Sequence, residues 1–432
     1  MKSDTALHTD HYELTMLSAA LRDGTADRQC VFEVFARRLP LGRRYGVVAG
    51  TGRIIEQLRE FRFDPDDVRF LRERGVVDDL TADWLRAYRF SGDIDGYAEG
   101  ELYFPSSPVL TVSGTFAECV VLETFLLSVL NHDCAVAAAA ARMVTAARGR
   151  PLIEMGSRRT HEEAAVAAAR AAYLAGFSST SNLAAGRRYG IPTAGTAAHA
   201  FTLLHDDEKA AFASQVSTFS KETTLLVDTY DISQGIRNAI AVAGPDLAAI
   251  RIDSGDLSVL AQQSRELLDS LGATETRIVV SGDLDEYAIA ALAAEPVDAY
   301  GAGTAVVVGS GAPTAGMVYK LVEVDGKPVV KRSENKATVG GRKTAVRRHK
   351  PTGTATVEVV VPQGTPEPRP HDRALQRAYV RGGEPVADLP TLEDARDLLR
   401  HNLISIPWEG LKLSQGEPAI PVTCVPAAKE TA

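Results

Sequence analysis

Apolar residues in HYELTMLSAALRD (residues 11–23) recur at the spacing of one helix face, which predicts an early amphipathic helix. Two apolar stretches bounded by Pro and Gly follow, VFEVFARRLP and YFPSSPVLTVSG, and read as a β-rich region. Over ECVVLETFLLSVL (118–130) the pattern turns helical again. The Ala-rich AVAAAAARMVTAARGR (135–150) continues it with no breaker before Gly149.

From residue 151 a rhythm sets in, of a short apolar strand ending in polar or glycine residues and then a helix. Seven strand ends read PLIEMGSRR, FSSTSN, TAGTAAH, TLLVDTYD, AAIRIDSGD, RIVVSGDLD and VDAYGAGT. Helices are expected over 161–177, with Thr160 and Glu163 in capping-box spacing, over 257–272 and over 286–295. Seven strand–helix units predict an incomplete β/α barrel, with a doubly wound open sheet as the rival. Charged or small polar residues at nearly every strand end favour the barrel, because barrel enzymes assemble their sites there. Near residue 320 the rhythm stops. LVEVDGKPVVKRS reads as a hairpin turning on Asp325–Gly326, 351–370 mixes one strand with Pro-rich loop, and 392–403 is a short helix. The expected fold class is therefore α/β, a barrel with a flanking α+β domain built from N- and C-terminal segments. Residues 1–115 and 340–432 are assigned to the flanking domain and 116–339 to the barrel.

The 432-residue length allows this, since two unequal domains with a barrel of up to about 250 residues fit it. A net charge of −9 argues against a general nucleic-acid binder but leaves room for a local phosphate pocket. Cys30, Cys119, Cys134 and Cys424 form no Cys-x-x-Cys pair, which disfavours structural zinc and suits a reducing cytosol. No apolar run approaches the roughly 20 residues of a membrane span, and no apolar signal region opens the chain. A cytoplasmic protein without membrane partners is expected.

Candidate chemistry concentrates at the strand ends. His199 stands in GTAAHAF among small residues that leave room for a ligand. Histidine's ordinary pKa, about 6.5, suits a nucleophile or general base, and a satisfied core histidine is the plainer alternative. VDTYD, RIDSGD and SGDLD each place two carboxylates two or three residues apart, which serve Mg²⁺, a ribose diol or a histidine, or simply cap helices. GAGT (301–304) looks like a phosphate cradle or a tightly packed turn. Arg158 and Arg159 suit a carboxylate or diphosphate, or an ordinary salt bridge. Arg251, inside an apolar strand, needs a partner, either a ligand anion or Asp253. The run 331–350 carries eight Lys or Arg and reads as a solvated face or the flank of an anionic substrate. It lacks the aromatic interleaving of single-strand nucleic-acid binders.

Taken in order, TDHYELTM (9–16), GSRR, GTAAHAF, LVDTYD, RIDSGDL, SGDLDE and the GAGT turn resemble the nicotinate phosphoribosyltransferases, up to about residue 345. Nicotinamide phosphoribosyltransferases are similar in layout. The resemblance implies transfer of phosphoribosyl from its diphosphate to nicotinate in NAD salvage, with Mg²⁺ and with ATP hydrolysis coupled through a phosphorylated histidine. His199 matches that phosphohistidine, and the catalytic set is His199, Asp228 and Asp253, with Asp228 orienting the imidazole. Tyr12 resembles an aromatic that covers the pyridine ring from a neighbouring subunit, which implies a homodimer with shared sites. Arg251 matches a base-site arginine, Arg158 and Gly303 match positions around the phosphates, and Asp283 matches the acid near the ribose hydroxyls. Arg159, Asn182 and Ser254 complete the expected substrate contacts, and Gly282 and Thr304 the phosphate contacts. Metal ligands are not identified. Met155 stands where the family usually has an aromatic, Gly340 where SENKATVGG would have proline, and Ser107 where an acid is common. Two other readings stand beside this one: nicotinamide as the base, and a non-catalytic phosphosugar-binding barrel.

Overall fold

The computed structural model describes residues 5–331 and 339–425. Most of SENKATVGG and part of the basic run lie outside them. One unit spans residues 136–313 and another combines 1–135 with 314–432.

In the first unit six short strands lie side by side, all parallel. They are β1 (Leu152–Glu154), β2 (Ser179–Thr180), β3 (Thr224–Leu226), β4 (Ala249–Ile252), β5 (Arg277–Gly282) and β6 (Ala299–Ala302). Their order, β2-β1-β6-β5-β4-β3, keeps chain neighbours adjacent and pairs the last strand with the first. That is the order of a barrel opened at one place, between β2 and β3. The gap corrects the expectation of seven strands. TAGTAAH contributes only an isolated bridge, Thr193 opposite Thr180. Ala, Gly and Thr between 194 and 198 offer little side chain to pack on a pleated surface. The six strands are buried, with Leu225, Ile250, Ile252, Ile278 and Val280 all at 0% exposure, as a parallel sheet covered by helices requires.

Helices span Glu162–Leu174, Leu257–Ser270 and Glu286–Ala291 in this unit. The expected Thr160 capping box does not form. The N-cap of the first of these helices is His161, one residue later than that box would place it, and it makes no side-chain cap. Its eight buried residues, mostly Ala, hold it by packing instead.

The other unit is built on a seven-stranded antiparallel sheet that draws on both chain segments. At its centre Gln29–Ala36 lies between Met317–Val324 and Leu110–Thr115. Gln376–Arg381 pairs with Asp93–Tyr97. The predicted hairpin is present, with Asp325 and Gly326 both at positive φ (48° and 74°), as a two-residue turn of that hand requires. Its boundaries with the barrel unit fall inside those read from sequence. Residues 116–135 belong here because Val120, Leu126 and Cys134 sit in this unit's core, and 314–324 because that strand pairs with Gln29–Ala36. The helical stretch Phe116–Ala147 is, by length and composition, apolar enough to cross a membrane, which corrects the expectation that no run comes near one. The rule missed it because Glu118, Glu123 and Asp133 interrupt the apolar run, and much of the stretch is buried core.

Candidate active site

Three acidic strand ends divide their labour. In each, the second carboxylate caps the following helix: Asp231 accepts from the Gln234 amide (2.7 Å), Asp256 from Val259 (3.4 Å) and Asp285 from Tyr287 and Ala288 (2.9 and 2.8 Å). The first carboxylate of each pair, Asp228, Asp253 or Asp283, is left for other work.

Asp228 follows β3 and its side chain is 1% exposed. Its Oδ2 accepts from the Asp253 amide (3.0 Å) and from the Ser254 hydroxyl (2.6 Å). Its Oδ1, buried and without a hydrogen bond, faces His199 Nε2 at 4.0 Å. The His199 side chain is 41% exposed, and its Nδ1 lies 3.1 Å from Thr229 Oγ1. The imidazole thus stands between a buried carboxylate and a hydroxyl, with one edge open.

Arg251, on β4, has its fork held from three sides. Nε donates to Ser281 Oγ (2.7 Å), Nη1 to Thr196 Oγ1 (2.9 Å) and Nη2 to Asp253 Oδ1 (2.7 Å). Ser281 donates to the same Asp253 oxygen (2.5 Å). Burial pushes the Asp253 carboxyl up, but the Ser281 hydrogen bond and the Arg251 charge outweigh it and hold it below the usual carboxylate range. Asp253 therefore stays an anion, and Arg251 carries a partner even without a ligand. A guanidinium has five N–H groups, so two remain for another acceptor.

Two adjoining cavities share Met155, Arg158, Arg251 and Asp253. The larger, about 420 Å³, is also lined by Ser181, Thr196 and His199. The smaller, about 260 Å³, adds Arg159, Asp283 and the backbone of Gly282, Gly303 and Thr304. Arg158 and Arg159 are exposed, as is Asp283, and among the described residues these three side chains have no ion pair. Glycine is required at two of these turns. Gly282 adopts φ of +127°, and at Gly156 an added Cβ would meet Val307 at 2.2 Å and the Gly303 carbonyl at 3.0 Å. The helix behind Gly303, Thr304–Val307, is a single turn, so local N–H groups rather than a long helix dipole would face an anion there.

Nine of the thirteen expected residues thus line the two cavities. Asp228 and Ser254 stand behind His199, with the Ser254 hydroxyl committed to Asp228. Asn182 also lines neither. It caps the helix Leu183–Tyr189 and donates to Ser157 Oγ (3.0 Å). Tyr12 lies in the other unit, on the helix His11–Asp23, where it is 45% exposed. Sequence reasoning missed the hydroxyls Thr196, Thr229 and Ser281, which orient Arg251 and His199. They stood within the quoted strand ends, but a lone Ser or Thr there carries no signal of its own.

Two family models match in tandem. The nicotinate phosphoribosyltransferase N-terminal domain covers residues 7–131, and the quinolinate phosphoribosyl transferase C-terminal domain covers 136–310. Nicotinate phosphoribosyltransferase pncB1 of Mycobacterium tuberculosis is 64% identical over 431 residues, covering 98% of this chain and 95% of its own. The chain belongs to the nicotinate phosphoribosyltransferase family. Another family member, nicotinate phosphoribosyltransferase of Bacillus subtilis, is 40% identical over 79% of this chain and 73% of its own. The crystal structure of human nicotinic acid phosphoribosyltransferase superposes with a TM-score of 0.86 at 28% identity, over 96% of this chain and 97% of that one. The fold is thus the family's incomplete α/β barrel with a flanking domain.

Proposed function

We propose that this chain makes nicotinate mononucleotide and diphosphate from nicotinate and phosphoribosyl diphosphate, in cytoplasmic NAD salvage. ATP hydrolysis is coupled to the transfer through phosphorylation of His199. The observation that carries the reading is the half-open His199 beside buried Asp228, in the cavity that Arg251 also lines.

The pyridine nitrogen attacks the anomeric carbon as diphosphate leaves, through an oxocarbenium-like state that gains most from fixed positioning and charge. Arg251 offers its two remaining N–H groups to the nicotinate carboxylate, with Thr196, Ser281 and Asp253 fixing the fork. Arg158, Arg159 and the amides near Gly303 and Thr304 take the phosphates, and Asp283 the ribose hydroxyls. Asp228 faces Nε2 and would hold its proton there, and the Thr229 hydroxyl, 3.1 Å from Nδ1, would give up that lone pair as Nδ1 accepts the phosphoryl group and ADP leaves.

Mg²⁺ commonly binds one or two protein carboxylates and otherwise substrate phosphate and water. Asp253 and Asp283 line the phosphate-side cavity and fit such an ion, whereas the described residues hold no group of three metal-binding side chains. When bound with the diphosphate it would neutralise the charge of the leaving group. Tyr12 serves the site of a second copy in a homodimer.

A second reading, nicotinamide as the base, is favoured by one feature: Asp253 already pairs Arg251 and supplies the carboxylate that an amide would need. Both relatives named above at 40% identity or more are nicotinate enzymes, which supports the acid. The test is product formation from phosphoribosyl diphosphate, Mg²⁺ and either base, with and without ATP, in wild type and His199→Ala. ATP-stimulated nicotinate turnover in wild type alone is expected. Turnover with nicotinamide alone selects the second reading. A folded protein that binds phosphoribosyl diphosphate and turns over neither base is a binding barrel.

A further inference from the structure

Glu154, at the end of β1, is 1% exposed, and both its carboxylate oxygens are occupied. Oε2 accepts from the Thr180 hydroxyl (2.5 Å) and Oε1 from the Gly156 amide. Thr180 Oγ1 in turn accepts from the Asn182 amide (2.9 Å), and Asn182 Nδ2 returns to the Ser157 hydroxyl (3.0 Å). These bonds close a loop. They join the segment after β1, which carries Met155 and Arg158, to the turn after β2, which carries Ser181.

Glu154 lines neither cavity, yet Met155 and Arg158 line both. Both its oxygens accept, from the Gly156 amide and the Thr180 hydroxyl, while burial pushes its carboxyl above the usual range. Burying such a group is costly unless every oxygen is satisfied, and here both are. A glutamine would turn its NH₂ toward one of the two donors and break the loop there.

We propose that Glu154 is a positioning residue for phosphoribosyl diphosphate binding. Through Gly156 and Thr180 it sets where Arg158 stands between the two cavities. This rests on the phosphoribosyltransferase reading and extends it to a residue that touches no substrate.

The test measures the dissociation constant of phosphoribosyl diphosphate by calorimetry, with kcat and both KM values, in four proteins. They are wild type, Glu154→Gln, Thr180→Val and Thr180→Ser. Losing one buried hydrogen bond in Glu154→Gln, and two in Thr180→Val, is expected to weaken phosphoribosyl diphosphate binding about tenfold or more, and to raise its KM alike. Both kcat values should stay within about threefold of wild type, as a loss of uniform binding demands. Thr180→Ser, which keeps the hydroxyl, should bind like wild type. Unchanged binding in Glu154→Gln and Thr180→Val overturns the proposal, as does Thr180→Ser behaving like Thr180→Val. If Glu154→Gln fails to fold, the Thr180 pair decides. Wild type that does not bind phosphoribosyl diphosphate overturns the parent reading as well, whereas wild-type binding with unchanged variants overturns this proposal alone.

Discussion

Asp228 Oδ1 stands 4.0 Å from His199 Nε2, buried and without a hydrogen bond, while Oδ2 of the same carboxylate is held by the Asp253 amide and the Ser254 hydroxyl. One oxygen anchors the group and the other is aimed at the imidazole. Asp228→Asn keeps the shape and removes the charge that selects the tautomer. ATP-stimulated turnover and ³²P incorporation from γ-labelled ATP are expected to fall at least ~100-fold. Turnover without ATP should fall less than about tenfold, because in the proposed mechanism glycosyl transfer does not use the imidazole. Equal loss of both rates would remove Asp228 from the phosphorylation step.

Arg251 is pinned by Ser281, Thr196 and Asp253, so its position is fixed before any ligand arrives. Lysine in its place has one rotatable ammonium and cannot reproduce the fork. Arg251→Lys is expected to raise the nicotinate KM by about 10- to 100-fold, the worth of a charged hydrogen-bonded contact. Thr196→Val removes one of the three supports and should raise it only a few-fold. An unchanged nicotinate KM in Arg251→Lys, measured at saturating phosphoribosyl diphosphate, would place the base elsewhere.

The helices and strands of the barrel were legible because each alternates with a clear apolar run, and the acidic strand ends because three of them recur. The division of each acidic pair was not legible. Asp228 and Asp231 look alike in sequence, and only the start of the next helix decides that Asp231 is its cap. Glu154 was hidden for the opposite reason: a single acid within PLIEMG carries no pattern, and its meaning depends on Thr180, 26 residues away. That the barrel is incomplete was legible, but where it opens was not, because TAGTAAH has the right place in the rhythm but too little side chain to hold a strand.

One place in the flanking unit is expected to respond to acid. Arg347 is fully buried between Glu101 and Glu358, with the Tyr97 hydroxyl (2.7 Å) and the Ser107 hydroxyl (2.5 Å) also on Glu358. Burial raises the Glu101 carboxyl, but Arg347 and Arg373 prevail and hold it below its ordinary range. A depressed folded pKa gives stability that is complete above the unfolded value, about 4.3, and is lost as pH falls through the folded value. Glu101→Gln should flatten that acid limb in urea unfolding followed from pH 7 to pH 3. Arg347→Met leaves buried Glu358 without a cation and Glu101 with Arg373 alone, and should cost about 3–5 kcal/mol at pH 7. Adding Glu358→Gln to it should recover part of the loss, and no recovery would mean that packing, not charge, sets the cost.

Tyr12 and His199 lie in different units of the chain, and the proposed homodimer gives them one site, assembled from two copies. That arrangement makes a quantitative prediction. Tyr12→Ala and His199→Ala should each lose ATP-stimulated turnover when assayed alone. Mixed in equal amounts and allowed to exchange subunits, they form mixed dimers in about half of the population. One of the two sites in a mixed dimer carries both defects. The other combines an intact His199 with an intact Tyr12, so about a quarter of all sites, and of wild-type activity, should return. Activity that stays at the level of the separate variants, with subunit exchange verified by differently tagged copies, would show that Tyr12 serves the site of its own chain or none.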